Sequence, residues 1–146
     1  MTIRVVRLGS PRAPGEGLRL GTVRRPPRGV PKRDFAKRAF YDVWVPELAP
    51  SAPLVSWALA TPWDDKRWKV YARKYVAEMK KPPASRLIEL LAALSRTADF
   101  SVGCYCENEA RCHRSLLREL LEEAGANIGN QASGHSPFAL RRSKRR

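Results

Sequence analysis

The stretch Asp99-Phe100-Ser101-Val102-Gly103-Cys104-Tyr105-Cys106-Glu107-Asn108-Glu109-Ala110-Arg111-Cys112-His113-Arg114-Ser115-Leu116-Leu117-Arg118-Glu119-Leu120-Leu121 changes its hydrophobic period once, and that change decides the fold. Asp99–Cys106 alternates, with Phe100, Val102, Cys104 and Cys106 on one side, which predicts a strand. Arg114–Ala124 places Leu116, Leu117, Leu120 and Leu121 on one helical stripe, and Gly125 stands where a C-cap glycine belongs. A strand running through a polar loop into a helix is the unit of an α/β protein.

Working outward, Ser85–Arg96 reads as a helix with Leu87, Leu90, Leu91 and Leu94 on one face. Asp64–Lys81 reads as another, its stripe Trp68, Tyr71, Ala72, Tyr75 and Met79 better suited to a core than to ligand stacking. Ser51 suits the N-cap of a short segment from Ala52 to Ala60. Thr2–Leu8 and Leu18–Val23 read as strands, Arg24–Lys32 as a loop because of Pro26, Pro27, Gly29 and Pro31, and Ala126–Ile128 as a last short strand. Helices between strands favour one compact α/β domain, residues 1–128, with a mostly parallel sheet flanked by helices. Residues 129–146, rich in Gly, Ser, Asn and Arg, read as a flexible basic tail.

At 146 residues and 43% hydrophobic content the chain can bury a core without a disulfide or metal staple. The longest apolar run, Leu90–Leu94, is far too short to span a bilayer, and arginines interrupt the N-terminal apolar residues. A cytoplasmic location and no membrane partner are therefore expected. The net charge of +14 is unevenly placed. Residues 1–38 carry eleven basic residues against two acidic ones, residues 39–128 are balanced, and the tail adds Arg141, Arg142, Lys144, Arg145 and Arg146. Such a field attracts polyanions, with solubility as the alternative reading for the tail.

All three cysteines lie within nine residues, with His113 directly after Cys112. The Cys104–Arg114 segment joins a strand end to a helix start, the place where open α/β sheets bind ligands and where free N–H groups attract anions. A cation in the first helical turn opposes the helix dipole, so Arg114 is assigned either an anion or a bridge to Glu107 or Glu109. Cys112, at the helix start between Arg111 and Arg114, is expected to favour its thiolate and act as nucleophile, with His113 or a carboxylate moving the proton. A small buried residue at a tight turn is the competing reading. No cofactor is expected, because C-x-C-x5-C-H departs from the usual zinc spacing. Zinc held by Cys104, Cys106 and Cys112 is the alternative.

These residues carry a resemblance. Cys104 with Cys112-His113-Arg114 resembles the C-x-E…C-H-R signature of the bacterial domain of unknown function 488. Arg24-Arg25-Pro26-Pro27-Arg28-Gly29-Val30-Pro31-Lys32 is similar to that family's D-R-x-W-P-R-G-x-x-K segment, especially in its YeaO-like branch. Trp44-Val45-Pro46-Glu47-Leu48-Ala49-Pro50-Ser51 with Trp57, and Trp68…Tyr75…Glu78, resemble two further stretches of it. Val23 stands where the family has Asp, Pro26 where it has Trp, and Cys106 where it has the signature Glu, with Glu107 one residue later. The resemblance implies a compact α/β fold with the Arg24/Arg28 loop near the Cys-His-Arg loop, and no established reaction.

Three functions are compatible with these observations. The first is a small protein that binds an anionic or phosphate-bearing ligand through Arg24, Arg28, Arg114, Cys104 and Glu107, with Cys112 and His113 supplying chemistry. The second is a nucleic-acid-binding module acting through the basic N-terminal third and Arg141, Arg142, Lys144, Arg145 and Arg146. The third is a structural metal or interaction protein.

Overall fold

The computed structural model describes residues 1–129. The basic residues Arg141–Arg146 lie outside the described residues, as does nearly all of the predicted tail. The chain forms β1 (Ile3–Arg7), β2 (Leu18–Gly21), β3 (Val43–Trp44), α1 (Ala52–Leu59), α2 (Asp65–Met79), α3 (Ala84–Leu94), β4 (Phe100–Cys104) and α4 (His113–Glu123). Short 3-10 turns cover Lys32–Asp34, Pro46–Leu48 and Glu109–Arg111.

The four strands make one sheet in the order β1-β4-β2-β3, and every pairing is parallel. Val102 of β4 lies between Val5 and Leu20, and Phe100 between Ile3 and Leu18. All five residues of β4 are buried, as a central strand of a parallel sheet requires. Ile3, Val5, Leu20 and Val102 pack into one core with Tyr75 and Met79 of α2, Ile88 and Leu91 of α3, and Leu117 and Leu121 of α4. A smaller cluster joins Leu8, Val23, Tyr41, Cys104 and Cys112. Gly21 and Gly103 sit side by side in the ladder, and a Cβ at Gly21 would stand 2.3 Å from the Tyr41 ring. The absent side chain is what lets Tyr41 lie against the sheet.

Local chemistry sets the helix starts. The Asp64 carboxylate accepts from the Arg67 N–H at 2.7 Å and caps α2. Trp63, just before that cap, packs edge-on against Trp68, the hydrophobic staple that fixes how the chain enters the helix. Ser51 caps α1 by accepting from the Leu54 N–H, and Glu78 of α2 receives both the Ser51 N–H and its hydroxyl. The whole stripe expected on α2 is buried: Trp68, Tyr71, Ala72, Tyr75 and Met79.

Four details differ from expectation. In α3 the buried residues are Ala84, Ile88, Leu91 and Ala92, while Leu90 and Leu94 are 52% and 41% exposed. Eight of its eleven residues are apolar, so its sequence gives more than one candidate face. Strand β4 stops at Cys104, where pairing with Arg7 of β1 ends, and Cys106 belongs to the following loop. Ala126–Ile128 contributes a single parallel bridge, Ile128 to Ile3. Strand β3 is extra: two exposed residues whose pairing with Leu20 and Gly21 no alternation announces.

Candidate functional site

Because all strands are parallel, their C-terminal ends fall on one edge of the sheet. Three segments leave that edge and converge: Thr22–Arg28 after β2, Val45–Ser51 after β3 and Tyr105–Cys112 after β4. Between them and α1 lies a cavity of about 800 Å³. Cys104, Cys106, Cys112 and His113 line it, facing a largely apolar wall that includes Trp63, Tyr71 and Val55. Arg24, Arg25, Arg28 and Arg111 also border it. Open parallel sheets bind ligands at this position.

The three sulfur atoms lie within 4.8 Å of one another, and the Cys104 thiol donates to Cys106 Sγ at 3.7 Å. Their surroundings are unequal. Cys112 is 2% exposed and Cys104 6% exposed, whereas Cys106 is open to solvent. Thiol hydrogen bonds from Cys104 and then Cys112, helped by the charge of Arg114, hold Cys106 far below the ordinary thiol range. Hydrogen bonds to Cys104 and Cys106, joined by burial, push the Cys112 thiol well up. Within the cluster the surroundings thus favour the charged form at Cys106 and disfavour it at Cys112. Cys112 is the N-cap of α4, but its side chain makes no capping hydrogen bond.

His113 is 4% exposed. Its Nε2 lies 2.6 Å from the Thr22 carbonyl oxygen, which can only accept, so Nε2 carries the proton. Nδ1 is then a bare acceptor, 3.9 Å from Cys112 Sγ. Burial lowers the pKa of this imidazole to about 4, leaving it neutral at neutral pH. His113 is thus a fixed, uncharged acceptor beside the least accessible thiol.

The arginines divide into committed and open groups. Arg24 Nε donates to the Pro50 carbonyl at 2.9 Å and its Nη2 to Pro46 at 3.1 Å, tying the β2 loop to the start of α1. Arg111 pairs with Asp65 at 2.6 Å. Arg114 is 4% exposed and does not border the cavity; its Nη2 donates to the backbone carbonyls of Cys106 at 2.8 Å and Glu107 at 3.4 Å. The expected bridge from Arg114 to a glutamate is therefore made to the backbone: Glu107's own carboxylate pairs with Arg7 at the surface, and Glu109's with Arg118. Arg25 and Arg28 are exposed, and neither guanidinium has a partner among the described residues. Of the residues expected to bind a ligand, Arg24, Arg28 and Cys104 border the cavity, and Arg114 and Glu107 do not.

Sequence reasoning did not single out Arg25, Phe40, Trp63 or Tyr105, which also border the cavity. Trp63 had a readable signal, since an apolar residue immediately before an Asp N-cap predicts a staple. Tyr105 had none: its hydroxyl reaches the Arg25 carbonyl at 3.0 Å across eighty residues of chain.

The family profile described as the active DUF488-N3 subclade, DUF488-N3a, matches residues 3–125, and the chain belongs to that family. No curated protein and no solved structure matches the chain. The resemblance carried by Cys104 and Cys112-His113-Arg114 is thereby borne out at the level of the family. Among the described residues no helix is long and apolar enough to cross a membrane.

Proposed function

We propose that this DUF488-N3 protein binds a small anionic organic molecule in the cavity and presents its reacting end to the sulfur cluster. The observation that carries the reading is the composition of one cavity: three convergent thiols, an apolar and aromatic wall, and two arginines without partners among the described residues. A ligand with a flat or apolar body is complementary to Trp63, Tyr71 and Val55, and a phosphate or carboxylate on it to Arg25 and Arg28. Cys106, the exposed member of the cluster, is the sulfur such a ligand meets. The description of the subclade as active accords with chemistry at this site. The nucleic-acid reading is the alternative; it rests on the basic charge of residues 1–38 and of Arg141–Arg146.

A nucleoside monophosphate is a suitable probe. At about 100 times its dissociation constant it should add roughly 2.7 kcal/mol of stability, read as a rise in melting temperature. The double variant Arg25→Ala/Arg28→Ala should fold normally, since both side chains are exposed, and should lose that rise. Removal of Arg141–Arg146 should leave it intact. If the rise instead disappears with the tail and survives the double variant, the cavity is not the binding site.

A further inference from the structure

We propose that Cys104, Cys106 and Cys112 together hold one thiophilic d10 metal ion, zinc being the natural occupant, with an open fourth position facing the cavity. The site is the convergence of three sulfurs from three different local structures: the last residue of β4, the loop after it, and the N-cap of α4. Packing alone does not account for three thiols within 4.8 Å of one another, since one of them, Cys106, is exposed and fills no core position. Tetrahedral coordination at a metal–sulfur distance of about 2.3 Å sets the sulfurs about 3.8 Å apart. Cys104 and Cys106 already stand 3.7 Å apart.

Charge and second partners fit the same occupant. Three thiolates on a divalent ion leave one negative charge, and the buried Arg114 guanidinium, bonded to the Cys106 carbonyl, stands beside it. As the ion binds, each thiol still protonated gives its proton to solvent, and the three metal–sulfur bonds replace the S–H donations within the cluster. All-thiolate ligands favour a soft or borderline ion over magnesium or calcium. Since the three cysteines all border the cavity, the position they leave open takes water or a donor atom of a cavity ligand. That last step rests on the ligand reading above; the ion site rests on the sulfur geometry alone.

The test uses the full chain, reduced with a phosphine, stripped with chelator and titrated with cobalt(II) alone. The expected result is a thiolate-to-cobalt charge-transfer absorption that saturates at one ion per chain and is displaced by zinc. Loss of outer-shell partners already costs about 10–100-fold in metal affinity, so losing a ligand in Cys106→Ser should cost at least about 100-fold. Cys106 is exposed, so this variant should keep its far-ultraviolet circular dichroism even where Cys112→Ser, in the core, does not fold. Arg25→Ala/Arg28→Ala should bind cobalt like the parent chain, so failure of the ligand reading leaves this result unaltered. No charge-transfer band, or a band that Cys106→Ser leaves unchanged, overturns the site.

Discussion

Glu16→Ala is expected to destabilise the fold by about 3–5 kcal/mol, the usual cost of stranding one member of a buried ion pair. Arg19 is fully buried, on a sheet strand, and its Nη2 donates to both Glu16 carboxylate oxygens, at 2.9 and 3.1 Å. The Nη1 of Arg19 reaches the carbonyls of Ser10 and Ala39, so one guanidinium ties β2 to two loops. Ala39 holds a left-handed backbone, φ 60°, that an alanine does not choose freely, and its carbonyl serves both Arg19 and the Gly9 N–H. Without Glu16 the buried guanidinium loses its ion-pair partner, and the Ser10 and Ala39 carbonyls alone do not replace it. Denaturant unfolding should show the loss as a lower midpoint with little change in slope. A loss under about 1 kcal/mol would mean that water reaches Arg19 and that the pair is not sealed.

Arg114→Ala is the second large effect, about 2–3 kcal/mol, and it differs in kind. Arg114 stands in the first turn of α4, where the helix dipole disfavours a cation. It is kept there by charge-assisted hydrogen bonds to the Cys106 and Glu107 carbonyls, each worth roughly 1.5–3 kcal/mol, less the relief of the dipole conflict. Truncation leaves two loop carbonyls without their donor and releases the segment that carries Cys106. Amide exchange should therefore accelerate at 105–108 beyond what the global loss of stability explains. Both bonds come from the one Nη2 nitrogen, so Arg114→Lys, which keeps a cationic nitrogen donor, should restore part of the loss. Uniform acceleration across the chain would reduce Arg114 to a packing residue.

The contrast between these two residues shows what the sequence could and could not convey. Helices α2 and α4 follow from periodicity because each buries one stripe, and β4 from its alternation although all five of its residues are buried; α1 was announced by its Ser51 cap. Arg114 was conspicuous for being a cation at the wrong end of a helix, but its partners are backbone carbonyls, which leave no mark in side-chain identity. Arg19 was hidden within an ordinary alternating strand, and its burial depends on loops folded over the opposite side of the sheet from the main core. The sulfur cluster was legible as a spacing and unreadable as a geometry. Its C-x-C-x5-C-H pattern matches no usual zinc spacing, yet the end of β4 at Cys104 and the turn at Glu109–Arg111 bring the thiols together. For Cys112 the place at a helix start was readable, and its burial, at 2% exposure, was not.

The central claim is that one cavity joins an anion-binding rim to a sulfur floor. The most direct measurement is amide and indole chemical-shift mapping of the full chain during titration with a nucleoside monophosphate. Shifts should concentrate at the Trp63 indole, at Arg25 and Arg28, and at Tyr105 and Cys106 in the loop after β4. They should vanish in Arg25→Ala/Arg28→Ala. Shifts confined to residues 129–146 and to exposed basic positions such as Arg33 and Lys37, with the Trp63 indole unmoved, would contradict it.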